Sequence, residues 1–161
     1  MLLPLLHLAQ AALALYGGVQ SYLAITNLHK YESASSKLAS VSSTAEHQRS
    51  KTYATQTSGA ASLLSSLLSS LLLAYQGSGY GIIVRYGIQV GMVVGLFFAR
   101  GHMTAFWGDK KISEGWMTVG KLPEMGEYEE ARRRTARLLD VLDVLMFSWA
   151  ATWMGAVVLG Y

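Results

Sequence analysis

The sequence predicts an all-α integral membrane protein: a single domain, 1–161, of four transmembrane helices in an antiparallel bundle, the last helix extended at its inner end. Three observations predict it. Only 14% of the residues are charged while 52% are hydrophobic, against about 25% charged in an ordinary soluble domain. The apolar residues gather in four stretches, each near the roughly 20 residues that cross a bilayer. The basic residues sit almost wholly in two of the connections between those stretches.

The first span is read at 2–25, because Met1 to Ile25 carries no charge. It lacks the basic leading region of a signal peptide, so it is expected to stay in the membrane. The second span, 54–76, belongs to an equally uncharged stretch, Ala54 to Gly79. The turn QGSG at 76–79 makes spans two and three an antiparallel hairpin. The third span, 80–99, holds one charge, Arg85; the fourth is read at 139–160, where the stretch Val141 to Tyr161 holds one charge, Asp143, near its start. A buried soluble bundle is the competing architecture, but these helices are apolar all round.

The inner connections are 26–53 and 100–138. Residues 27–50 are polar and serine-rich, and are expected to form a loop with a short surface helix. In GHMTAFWGDKKISEGWMTVG, Trp107 and Trp116 lie near basic residues, as in an interfacial segment. After Pro123 one helix is expected to run from about 124 to 160, with Glu129/Arg133 and Glu130/Arg134 as i,i+4 ion pairs in the favourable order.

Lys and Arg set orientation. The two long connections hold 12 of the 13 basic residues, the exception being Arg85. They are expected on the cytosolic or matrix side, with both termini on the outer or lumenal side, in the ER or the inner mitochondrial membrane.

Small residues suggest how the spans pack. Gly87, Gly91 and Gly95 form GxxxGxxxG on span three, with Ala99 extending the stripe. On span two, Ser58, Ser62, Ser66 and Ser70 recur every fourth residue, and Gly59 adds to that face. Lipid tails are as apolar as leucine, so close backbone approach, which small residues permit, drives helices together. The two faces are expected to form one seam. A serine-lined pore needs further polar partners, and only Gln56 and Gln89 are at hand; serine hydroxyls can bond back to their own helix instead.

Candidates for chemistry are few. With no cysteine there is neither a disulfide nor a thiolate metal site. His7, His29, His47 and His102 do not pair at i+3 or i+4, and no nucleotide or nucleophile motif occurs. His7, alone on an apolar face, reads as a hydrogen-bonded structural residue, with haem ligation the sharper alternative. Arg100 and His102, with Asp109, Lys110 and Lys111, could hold a phosphate or carboxylate headgroup, or simply form an interface girdle. Asp140 and Asp143 share a helix face and are expected to pair with Arg137 or another arginine. Arg132, Arg133, Arg134 and Arg137 read either as a topology anchor or as a docking surface for anionic lipid or a partner subunit. Interleaved acids argue against nucleic acid.

The stretches VQSYLAITNLHKY (19–31) and KTYATQT (51–57) resemble the small four-span scaffold proteins of ergosterol synthesis. The match is short. The arginine, the aromatic after KTYAT and the later acidic motif of that family are absent here. The resemblance implies a scaffold role. The residues themselves point the same way: a non-catalytic accessory or scaffold subunit of a larger membrane complex, such as a respiratory-chain or ER assembly. Its expected contacts are membrane lipids, including a bound phospholipid, and other membrane subunits; no cofactor or metal is expected. The alternative is a small membrane enzyme acting on a lipid or apolar substrate at Arg100, His102, Asp140 and Asp143.

Overall fold

The computed structural model describes residues 2–35, 43–76, 79–107 and 125–159, with side chains at 2–30, 52–76, 79–107 and 129–158. These residues form four helices and no strand: α1 (Leu2–Ser35), α2 (Ser43–Gln76), α3 (Ile82–Trp107) and α4 (Met125–Leu159). All four are long and apolar enough to cross a membrane.

Each helix packs along two neighbours in a square: α1 on α2 and α4, α3 on α2 and α4, with only a brief α2–α4 contact across the diagonal. Neighbours run antiparallel. Gln10 near the start of α1 meets Ser148 near the end of α4, whereas Gln20 meets Arg134. One end of the bundle therefore carries the start of α1 and the end of α4; we call it the terminal end, and the opposite one the charged end.

The buried positions follow a strict seven-residue repeat. On α1 they include 3, 7, 10, 14, 17, 21, 24 and 28; on α2, 56, 59, 63, 66, 70 and 73; on α3, 89, 92, 96, 99 and 103; on α4, 131, 135, 138, 142, 145, 149, 152 and 156. Alternating steps of three and four keep one seam facing the bundle axis when the helices supercoil left-handedly. The seams mix leucine with small and polar residues, while leucine, valine and phenylalanine crowd the outer faces. That inversion suits a bundle whose solvent is hydrocarbon.

Three sequence expectations are corrected. The connection 26–53 is entered by helix from both sides, α1 reaching Ser35 and α2 starting at Ser43. No Pro or Gly occurs from Val19 to Ser58, and buried Leu28 extends the α1 seam. Span three runs on to Trp107, because fully buried Met103 continues its seam past Gly101. The glycine seam is not where it was expected. A Cβ added at Gly87, Gly91 or Gly95 would meet nothing within 4 Å, so the stripe faces away from the bundle. Four converging helices leave volume along their common axis, and α3 fills it with Gln89, Met92, Leu96, Ala99 and Met103, which glycines cannot do. The close approaches are at Gly17, where a Cβ would lie 2.8 Å from Leu63 and 3.0 Å from Val141, and at Gly59, 2.7 Å from the Met103 sulfur.

The serine half of the expectation fares better. Ser66 and Ser70 are buried and Ser62 half-buried on the inward face of α2, but Ser66 faces Trp149 of α4 rather than glycine. The axis is filled by Leu63, Leu96, Leu138, Leu142, Leu145 and Trp149, which leaves no room for a pore there. The helix from 124 to 160 matches α4 within a residue at each end.

Candidate functional site

Polar side chains are buried at two levels. Near the terminal end, the His7 Nδ1–H donates to Gln10 Oε1 (2.7 Å), since a carbonyl oxygen can only accept. The Gln10 amide donates to Ser148 (3.0 Å) and Thr152 (3.3 Å), and the Thr152 hydroxyl donates to the Trp149 carbonyl (2.9 Å). Trp149, fully buried, donates its indole N–H to Ser66 (2.9 Å) and packs its ring 5.5 Å from His7. The serine repeat thus supplies the acceptor that a buried tryptophan needs. His7 is hydrogen-bonded, as the sequence suggested, through Gln10.

Beside this network a small cleft opens where the four helices meet. Its polar lining is His7, Arg85, Tyr86 and Gln89, set against Leu3 and Leu73. Its free volume is about 10 Å³, the space of one water. Tyr86 donates to the Ala156 carbonyl (3.3 Å) and so closes α3 onto α4. Gln89 is 4% exposed, and its Oε1 accepts no hydrogen bond.

Toward the charged end, Arg100 and Asp143 form a two-pronged ion pair, Nε to Oδ1 at 2.6 Å and Nη2 to Oδ2 at 3.1 Å, tying α3 to α4. The longer α3 puts Arg100 seven residues before its end, about 10 Å along the axis. The pair is partly exposed on the outer surface (41% and 31%). Further along, Gln56 donates to Thr135 (2.6 Å), Trp107 to Thr55 (3.1 Å), and Arg134 to both Glu130 (2.7 Å) and Gln20 (3.0 Å).

Of the residues proposed for an inner-end reaction, Arg100 and Asp143 are brought together, while His102 and Asp140 do not join them. Arg100 is engaged by Asp143 on α4, His102 contacts Ser58 on α2 (3.2 Å), and Asp140 is exposed. The carboxylate does find an arginine, as expected, but on α3 rather than at Arg137. Of the basic cluster, Arg134 is turned inward; Arg132, Arg133 and Arg137 are exposed, with Arg133 only 3.7 Å from Glu130. Asp109, Lys110 and Lys111 lie outside the described residues; among the described residues no group of three metal-ligating side chains gathers.

Sequence reasoning missed Gln10, Ser148, Trp149 and Thr152, and did not connect Arg85 or Gln89 with His7. The usable signal was the three-four stepping of polar positions within apolar spans, such as His7 and Gln10, Ser66 and Ser70, or Trp149 and Thr152. Comparison with known protein families, with curated proteins and with solved structures finds no match to the chain. None of the three supports the likeness of residues 19–31 and 51–57 to ergosterol-synthesis scaffolds.

Proposed function

We propose that the chain is a non-catalytic accessory or scaffold subunit of a larger membrane complex, and that α3 is its docking helix. The observation that carries this reading is the outward glycine stripe. Gly87, Gly91 and Gly95 face open space, whereas Gly17 and Gly59 lie where helices of the bundle come close. In hydrocarbon, a glycine groove gains most from a second helix that can approach its backbone. The occupant is a transmembrane helix of another subunit, and the stripe serves as a glycine zipper between chains. The interior polar groups support the same reading, since their bonds run between helices and hold the scaffold rigid.

In this reading both termini face the outer or lumenal side and both long connections face the cytosol or matrix, in the inner mitochondrial or ER membrane. The exposed Arg132, Arg133 and Arg137 meet anionic headgroups or the partner's acidic residues there. Extraction in mild detergent followed by native mass measurement tests the function. The expected species is heavier than the 17.5 kDa chain and contains partners in fixed ratio. A lone chain with lipid bound near Arg100 and His102 would instead favour the lipid-enzyme reading.

A further inference from the structure

The two sides of the square differ in how far their uncharged surface reaches toward the charged end. Gly17 of α1 lies against Leu63 of α2 and Val141 of α4, which puts these three positions at one level. Beyond that level α1 carries no charge before Lys30, and α2 none before Lys51. α4 instead meets exposed Asp140 at once and exposed Arg137 a turn later. The Arg100–Asp143 pair stands at the same level, partly exposed. The terminal end shows no such step, because Leu3, Leu73, Tyr86 and Ala156, one from each helix, line one cleft.

The apolar belt is therefore a wedge. At 1.5 Å per residue it measures roughly 36 Å over 2–25 of α1 and roughly 34 Å over 54–76 of α2. It measures roughly 27 Å over 82–99 of α3, where Arg85 near the start is the one charge, and roughly 24 Å over 144–159 of α4. A hydrocarbon core of about 30 Å matches neither side. Tilting the bundle does not cure a wedge. It would lift the ion pair toward water only by drawing the terminal end of α3 inward, and α3, which begins at Ile82, has no further turn there to fill the hydrocarbon.

We infer that the α3–α4 face thins the bilayer beside it, drawing the headgroup layer of the charged side inward to Arg100 and Asp143. A bilayer thins at modest cost, whereas charges exposed to hydrocarbon are expensive. Two hydrogen bonds join the pair, which leaves guanidinium donors and carboxylate lone pairs for headgroups and their water. The partner of this surface is the lipid layer itself. The inference does not rest on the docking stripe: Arg100 and Gly91 are nine residues, two and a half turns, apart and leave α3 on opposite sides.

The test uses the whole chain in vesicles of dioleoylphosphatidylcholine. Single cysteines, introduced into a chain that has none, carry nitroxide labels whose depth is read from their accessibility to oxygen and to a water-soluble nickel complex. Phe147→Cys on α4 and Ala12→Cys on α1 share one level; Met154→Cys and Leu5→Cys share another, nearer the terminal end. All four side chains are exposed, so the seams stay intact. The label at 147 is expected to lie about 10 Å shallower than that at 12, with 154 and 5 at equal depth. Arg100→Leu with Asp143→Leu is expected to let the label at 147 sink by about 5 Å, since the next charge on α4 is Asp140. Equal depth at 147 and 12 overturns the inference, as does a label at 147 that the double variant leaves unmoved. A label at 154 about 10 Å deeper than that at 5 replaces thinning with tilt. A label at 147 closed to both relaxants replaces lipid with a second copy of the chain.

Discussion

At the residue scale, Gly17 sits where α1 meets both Leu63 of α2 and Val141 of α4, with no space for a side chain. Gly17→Ile forces those branched side chains apart, and overpacking of this kind costs about 1–3 kcal/mol; the expected result is a lower melting temperature in detergent. Gly59→Ala is milder, because its obstacle is the flexible end of Met103. Trp149 fills the axis with its N–H on Ser66. Trp149→Phe keeps most of the volume and loses the bond, about 1 kcal/mol, whereas Trp149→Ala opens a cavity worth about 3–5 kcal/mol. Equal losses in the two variants would show that the hydrogen bond, not the filling, matters. The Arg100–Asp143 pair gives a third test. Arg100→Leu strands a carboxylate within the span. The cost is expected at about 1–2 kcal/mol, below the 3–5 of a fully buried pair, because both groups are partly exposed. The double variant Arg100→Leu, Asp143→Leu should recover the loss; an additive double loss would mean the two charges act separately.

At the element scale, α3 turns a filled seam inward and a glycine stripe outward. The four spans, their antiparallel order and the long α4 were legible because length, charge and hydropathy report on the bilayer, which acts on every residue alike. Which face of a span points inward was not legible from the same signals. Both faces of α3 are apolar, so hydrophobic contrast has little to distinguish them. The spacing of glycine attracts the eye, yet Met92, Leu96 and Met103 win the axis by volume. The readable cue was the three-four alternation shared by all the seams, with Ser66 and Ser70 on α2 and His7 and Gln10 on α1. The cleft was harder still to foresee, since His7 and Gln89 stand 82 residues apart in sequence and converge only through the square packing. Because the chain lacks cysteine, single introduced cysteines can separate the two faces. Cysteine at position 91 is expected to react with a membrane-soluble maleimide in the isolated chain, and cysteine at position 96 to resist it. Reaction at 96 rather than 91 would reverse the assignment of faces.

At the scale of the whole molecule, the bundle ties its helices together through buried polar groups and leaves an apolar exterior broken by a glycine groove and a partly exposed ion pair. Stability of the chain and assembly with partners should therefore be separable, since the groove contributes nothing to the bundle. Gly91→Leu tests this most directly. The variant is expected to keep the wild-type melting temperature as an isolated chain and to lose the heavier complex on mild extraction, leaving the 17.5 kDa chain alone. A complex that survives Gly91→Leu intact, or a bundle that melts with it, would contradict the account.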